Sequence, residues 1–197
     1  MSEKHKPPFT GFTGPDVAAL SKSAVTRTYP KNTIILNEGD ETDSLYVILS
    51  GRVKVFVANE EGREIVLDVQ GPGEYFGEMV LDEGPRSASV MTLEPCRLQL
   101  IPKEDIKALL QSHPEFAMHL VRKLIGRART LTEHVKSLAL ENVYSRFTRL
   151  LHELATTEDG RLVVQEKLSQ QELANRIGAS REMVNRIVKE LTTGGYI

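Results

Sequence analysis

Cysteine occurs once in this chain of 197 residues, at position 96. A single thiol closes no intrachain disulfide, and it falls short of the roughly four cysteine ligands an iron–sulfur cluster takes. No apolar run approaches the roughly 18 residues that span a bilayer, and the start MSEKHKPPF lacks the apolar core of a signal peptide. These absences point to a cytoplasmic protein with no membrane partner. Nucleophile–base pairings, a phosphate-binding P-loop and metal-ligand spacings are also missing, so neither an enzyme nor a metal site is expected. Hydrophobic residues make up 40% of the chain, enough to bury the core of one large domain or two small ones.

Charge is unevenly placed. Residues 30–101 hold 6 Lys+Arg against 13 Asp+Glu, and the remainder holds 19 against 14. The charge thus separates an acidic stretch from a net basic remainder, the kind of asymmetry that suits a chain of which only one part faces a polyanion. Residues 15–23 read as one short helix. From about 33 to 101 the pattern is short β-type runs, TIIL, SLYVILSG, RVKVFVA, EIVLDV, SASVMTL and CRLQLI, broken at glycines. Residues 52–57 alternate strictly, as a half-buried strand does, and the close spacing of the runs predicts an antiparallel sandwich or barrel.

The period then changes. Ala117, Val121, Leu124, Ala128, Leu131, Val135 and Leu138 recur at alternating steps of four and three. That is the repeat of a coiled-coil seam and predicts a homodimer joined through one long helix. The helix should end in a hinge near 138–142. Asn142 then caps a new helix carrying Val143, Phe147, Leu150, Leu151 and Leu154. Residues 156–160 close that helix, and a short strand follows over 161–164.

Two segments carry chemistry. The first, SQQELANRIGASREMVNRIVKEL from residue 169, reads as two short helices about a turn at Gly178 and Ala179. Ser169 and Glu172 form a capping box, and Ser180 caps the second helix. Val184, Ile187, Val188 and Leu191 face inward, leaving Arg181, Glu182, Asn185, Arg186 and Lys189 outward. Donors and acceptors early on such a helix suit major-groove readout, though helical hairpins of this kind also occur in bundles. The second segment is GEYFGEMVLDEGPRSASV, residues 73–90. Gly77, Glu78, Met79, Arg86 and Ser87 bring backbone N–H groups, a carboxylate, a guanidinium and a hydroxyl within about ten residues. Such a set suits a sugar phosphate; equally, Glu78 and Arg86 pair with each other on a surface loop.

In this order, the roll of strands, GPGEYFGEMVLDEGPRSASV, the seam helix and QQELANRIGASREMVNRIVKEL resemble the CRP/FNR family of bacterial transcription regulators, on its cyclic-AMP-receptor branch. The resemblance covers about residues 20–197. It implies an α+β chain with an antiparallel cyclic-nucleotide-binding β-roll over 1–112. A dimerisation helix and hinge over 113–140 and a winged helix-turn-helix over 141–197 complete it. It further implies that Gly77 and Glu78 contact a ribose, that Arg86 and Ser87 hold the cyclic phosphate, and that Arg181, Glu182 and Arg186 contact bases. No tightly bound cofactor is implied, only a cyclic nucleotide effector. Palindromic duplex DNA with TGTGA-like half-sites and RNA polymerase are the implied partners. Two departures stand out. Leu131 and Thr132 occupy the positions of a Thr-Ser pair that reads adenine, and Leu131 cannot bond an exocyclic amine, so cyclic di-GMP stands beside cyclic AMP. Family members also continue into a β-hairpin wing after the position matching Ile197, so the wing is expected to be missing here. The alternatives are a haem-based sensor, using His5, His113, His119, His134, His152, Cys96 or a Met, and a regulatory subunit of an enzyme.

Overall fold

Leu45, Tyr46, Val47 and Ile48 follow one another in strand β3 (Ser44–Ser50), and all four are buried. A strand buried on both faces carries no polar alternation. Leu45 and Val47 join a core with Tyr75, Ile101, Ile106, Leu109, Phe116 and Leu120. Tyr46 and Ile48 join another with Leu36, Val53, Phe76, Val90, Cys96 and Leu98. The sequence of this central strand therefore already specifies packing on both sides of its sheet.

The protein is described by a computed structural model at Asp16, 21–82 and 84–197. The helix expected over 15–23 lies largely outside these residues. The other strands of the first part are β1 (Val25–Tyr29), β2 (Ile34–Leu36), β4 (Val53–Ala58), β5 (Glu64–Gln70), β6 (Tyr75–Phe76), β7 (Ser89–Thr92) and β8 (Cys96–Pro102). They form two four-stranded sheets, ordered β1-β8-β3-β6 and β2-β7-β4-β5. The antiparallel register of β3 on β8 sets Leu45 opposite Ile101 and Ile48 opposite Leu98. Helix α1 (Lys103–Ser112) and the start of α2 (Pro114–Leu140) bury Ile106, Leu109, Phe116 and Leu120.

The roll contains two strands that the sequence pattern does not announce. The edge strand β1 reads VTRTY and is largely exposed, while β6 spans two residues inside the glycine-rich loop. One side chain departs from the alternation as well. Lys54, on the face expected to be open, is 8% exposed, close to Phe56 at 6%. A lysine stem can be covered in this way while its head reaches outward.

The chain divides into two compact units. The first holds the described residues up to Val55 together with Asp68–Arg127; the second holds Phe56–Leu67 and Ala128–Ile197. In the second unit, Asn175 donates to Glu64 (3.0 Å). Asn142 caps helix α3 (Val143–Leu154) by accepting from the Ser145 amide at 2.8 Å. The segment expected merely to close this helix is a strand, β9 (Ala155–Glu158), paired with β10 (Arg161–Val164). Asp159 and Gly160 turn the chain between them with positive φ. Helices α4 (Gln170–Ile177) and α5 (Arg181–Thr193) complete the unit, and Phe147, Ala174, Ile177, Val184, Ile187 and Leu191 are its core. Buried Arg146 donates to the carbonyls of Ile177 (2.8 Å) and Glu141 (2.6 Å), so one cation satisfies the carboxyl ends of two helices.

Gly51 connects β3 to β4 at φ +84°, where an added Cβ would sit 2.5 Å from the Pro95 carbonyl oxygen and 2.6 Å from Cys96 Sγ. Left-handed strain and overpacking combine there. Gly51→Ala is expected to cost about 3 kcal/mol, seen as a lower urea midpoint at unchanged slope. An unmoved midpoint would show that the turn relaxes.

Candidate anion-binding and nucleic-acid sites

Gly77 begins the first site. It holds φ 85° and ψ 18° at the start of a short 3-10 helix, Glu78–Leu81. A Cβ at this position would lie 3.1 Å from the Ser44 carbonyl oxygen and 3.3 Å from the Tyr46 ring, so the backbone must be bare both for its dihedral and for its neighbours. Tyr46 and Phe76 stack with parallel rings 5.1 Å apart, beneath the loop's entry.

Arg86 is 4% exposed. It donates to the Gly77 carbonyl (2.6 Å), the Thr42 hydroxyl (2.8 Å), the Thr42 carbonyl (3.2 Å) and the Ser44 carbonyl (3.0 Å). Among the described residues, every hydrogen bond of this guanidinium therefore goes to a neutral oxygen. Burial draws its pKa down, opposed by Tyr46, Glu78 and Asp43. A buried cation without a bonded carboxylate is costly, and a bound anion offsets that cost. Ser87 is exposed and its hydroxyl lies 3.0 Å from Met79 Sδ.

The structure does not pair Glu78 with Arg86. Glu78 pairs with Arg127 of helix α2 through one carboxylate oxygen; the other oxygen is buried and has no hydrogen-bond partner. Arg127 also donates to the Tyr75 carbonyl (3.1 Å), which accepts a shorter bond from Lys123 (2.7 Å). The Lys123 ammonium stands 3.3 Å from the centre of the Tyr75 ring. Burial and neighbouring Arg127 pull its pKa down to about 8, against Glu78, Glu74 and Asp68. Burial, then Glu78, pushes the Tyr75 hydroxyl up. Neither Lys123 nor Arg127 is singled out by the sequence, because each looks like one more charge on a polar helix face. Thr42 is equally silent there.

Leu131 and Thr132 are both exposed on α2, and the Thr132 hydroxyl bonds back to the Ala128 carbonyl (2.9 Å). Val121, Leu124, Leu131, Val135 and Leu138 are 41–66% exposed, an uncovered apolar stripe along the same helix. Ala128 is exposed and Ala117 half-buried. Cys96 is fully buried and donates to the carbonyls of Arg52 and Glu94, with burial pushing its thiol up.

The second site lies on α5. Ser169 and Glu172 form the capping box of α4, and Ser180 accepts from the Met183 amide (3.2 Å) to start α5. Gly178 ends α4 in the left-handed region, where a Cβ would meet Leu138 at 2.6 Å. Val184, Ile187 and Leu191 are buried, while Arg181, Glu182, Asn185, Arg186 and Lys189 are exposed together. Hydrogen bonding by its own backbone and by Ser180 lowers the Glu182 pKa, which keeps it an acceptor. Asn185 accepts from Gln170 (3.2 Å), and Arg186 lies against Met183 Sδ (2.9 Å).

Residues 26–113 match the cyclic nucleotide-binding domain family, and residues 145–197 match the Crp-like helix-turn-helix domain family. The chain is 33% identical to a CRP-like cAMP-activated global transcriptional regulator of Mycobacterium tuberculosis, over 96% of this chain and 87% of that protein. This chain belongs to the CRP/FNR family. The Thermus thermophilus cyclic AMP receptor protein is another CRP/FNR relative, 34% identical over 98% of this chain and 89% of its own length. Among solved CRP/FNR structures, the c-di-GMP-responsive global regulator CLP of Xanthomonas campestris superposes with a TM-score of 0.80 at 31% identity, covering 92% of each chain. These CRP/FNR proteins are transcription regulators, not enzymes. Among the described residues, no helix is long and apolar enough to cross a membrane.

The depressed Lys123 pKa makes a stability prediction. Between about 8 in the folded chain and 10.5 for an ordinary lysine, the unfolded chain holds this proton and the folded chain does not. The folded state must therefore gain stability from this group as pH rises through that window. Urea unfolding across the window should show the rise in the wild type and its absence in Lys123→Met.

Proposed function

We propose that the protein is a homodimeric, cytoplasmic transcription regulator, switched by cyclic AMP or cyclic di-GMP bound to the roll, that docks on palindromic DNA and works with RNA polymerase. A roll domain over 1–112, a dimerisation helix and hinge over 113–140 and a DNA-reading domain over 141–197 divide these tasks. The observation that carries the reading is Arg86, a buried guanidinium bonded to neutral oxygens beside a buried carboxylate oxygen of Glu78 that lacks a partner. A cyclic phosphate supplies the charge that the first lacks, and a ribose hydroxyl supplies the proton that the second lacks. Gly77, Met79 and Ser87 line the same loop. The M. tuberculosis relative is named for activation by cyclic AMP and the Xanthomonas neighbour for response to c-di-GMP, and both chemistries are carried here as effectors. Leu131 and Thr132 are assigned to the base end of the ligand, where a leucine removes one hydrogen-bonding group.

The exposed stripe Val121, Leu124, Leu131, Val135 and Leu138, with Ala117 and Ala128, is the surface a second copy would cover. Two-fold symmetry then presents two α5 helices to an inverted repeat. An effector biases this arrangement only by binding one dimer geometry more tightly than another. Arg181 and Arg186 are assigned to guanine edges and Glu182 to cytosine N4, within TGTGA-like half-sites. Ser180 starts the helix, Asn185 lines the groove and Lys189 takes phosphate.

Calorimetry with cyclic AMP and cyclic di-GMP tests the effector site. Arg86→Leu is expected to lose at least about 2–3 kcal/mol of binding, a loss of 30-fold or more. Affinity equal to the wild type would remove Arg86 from the site. For the DNA site, Glu182→Ala should relax discrimination at one G·C pair by about 1–3 kcal/mol. Selection from random duplexes measures this; an unaltered base preference would remove Glu182 from base readout.

A further inference from the structure

A protein seldom half-buries a lysine beside an arginine one helical turn away, because like charges at that spacing repel. Here Lys123 and Arg127 both sit on the roll side of α2, and both donate to one backbone oxygen, that of Tyr75. Lys123 makes the shorter bond, 2.7 Å against 3.1 Å, and is clamped further by the Tyr75 ring at 3.3 Å. Arg127 has a second acceptor, the Glu78 oxygen it pairs with, and that pairing turns the other Glu78 oxygen into a buried acceptor with nothing bonded to it.

We infer that Lys123 is a positioning residue of the effector site. By occupying the Tyr75 carbonyl and repelling Arg127, it holds the guanidinium on Glu78 and keeps the free carboxylate oxygen set for a ligand hydroxyl. Lys123 itself touches no ligand in this scheme. It acts through Arg127, and the role rests on the cyclic-nucleotide reading given above. Without the ammonium charge, Arg127 no longer shares the Tyr75 carbonyl with a stronger donor and the repulsion vanishes, so its 3.1 Å bond tightens and the guanidinium shifts from Glu78 towards Tyr75. Glu78 then loses its fixed orientation, and the ribose contact weakens while Arg86 keeps its own bonds.

The groups facing Lys123 are Asp68 on β5, Glu74, Tyr75 and Glu78 around β6, and Arg127 on its own helix, with His119 one turn earlier beside the Tyr75 ring. Lys123 releases its proton near 8. Burial pushes Tyr75 upward and, with Lys123 and Arg122, His119 downward, away from that window, and arginine stays charged throughout it. The role therefore has a pH signature that a packing role lacks.

Cyclic AMP and cyclic di-GMP affinities are measured by calorimetry from about pH 7 to about pH 9.5 on the full chain and on two variants. Affinity of the wild type for the nucleotide that binds is expected to fall about tenfold across this range. Lys123→Arg, which keeps its charge, should hold high affinity with a flat profile. Lys123→Met should bind about tenfold more weakly at every pH while melting as a folded protein. A flat wild-type profile, a Lys123→Arg profile that falls like the wild type's, or Lys123→Met affinity equal to the wild type's at pH 7 each overturns the role. If neither nucleotide binds the wild type at any pH, the cyclic-nucleotide reading itself fails and takes the role with it.

Discussion

The buried guanidinium of Arg86 ties together segments that lie far apart in sequence. Its hydrogen bonds reach Thr42 and Ser44 at the start of β3 and Gly77 at the mouth of the glycine loop. Each acceptor is a neutral oxygen, so the folded chain carries a desolvated positive charge that it has positioned but not neutralised. The arrangement constrains its surroundings. Gly77 must be a glycine, since its φ of +85° strains any side chain and a Cβ there would crowd the Ser44 carbonyl and the Tyr46 ring. The stacked pair Tyr46 and Phe76 stands where the loop leaves the sheet and fixes its takeoff.

Helix α2 answers two demands at once. Phe116 and Leu120 anchor its first turns in the core, and Lys123 and Arg127 reach the loop that carries Glu78. Its stripe of Val121, Leu124, Leu131, Val135 and Leu138 stays uncovered in the single chain. One helix thus both reaches the loop that carries Glu78 and presents an uncovered apolar stripe. At the other end of the chain, Arg146 bonds the carboxyl ends of α2 and α4, which ties the residues that follow α2 to the helix-turn-helix.

Much of this was legible in the residues. Ser169 with Glu172 marked the start of α4, Asn142 marked the start of α3, and the 4,3 spacing picked out the stripe that lies exposed along α2. These signals are local: a cap or a heptad is complete within a few residues, so no distant contact can revise it. The strands β1 and β9 escaped notice because both are polar and exposed, and neither shows the alternation that burial imposes. Lys54 misled in the opposite sense, since an alternating pattern says nothing about what later covers its polar face.

The partner of Glu78 shows where local reading stops. From the residues alone, Arg86 is the nearby cation in the same loop, and a simple surface pair is as reasonable as a ligand site. Folding gives Arg86 to the Thr42 hydroxyl and to backbone carbonyls, and Glu78 to Arg127, 49 positions away. Ion pairing depends on distance and desolvation, which are properties of the packed chain and not of spacing along it. By itself, then, the sequence determined the buried strands, the helices, their caps and the residue chemistry of the loop, because these follow from periodicity and short-range hydrogen bonding. Only the tertiary structure decided which charges neutralise one another, because it alone sets which groups come within reach: it left Arg86 without a bonded carboxylate and one Glu78 oxygen without a partner.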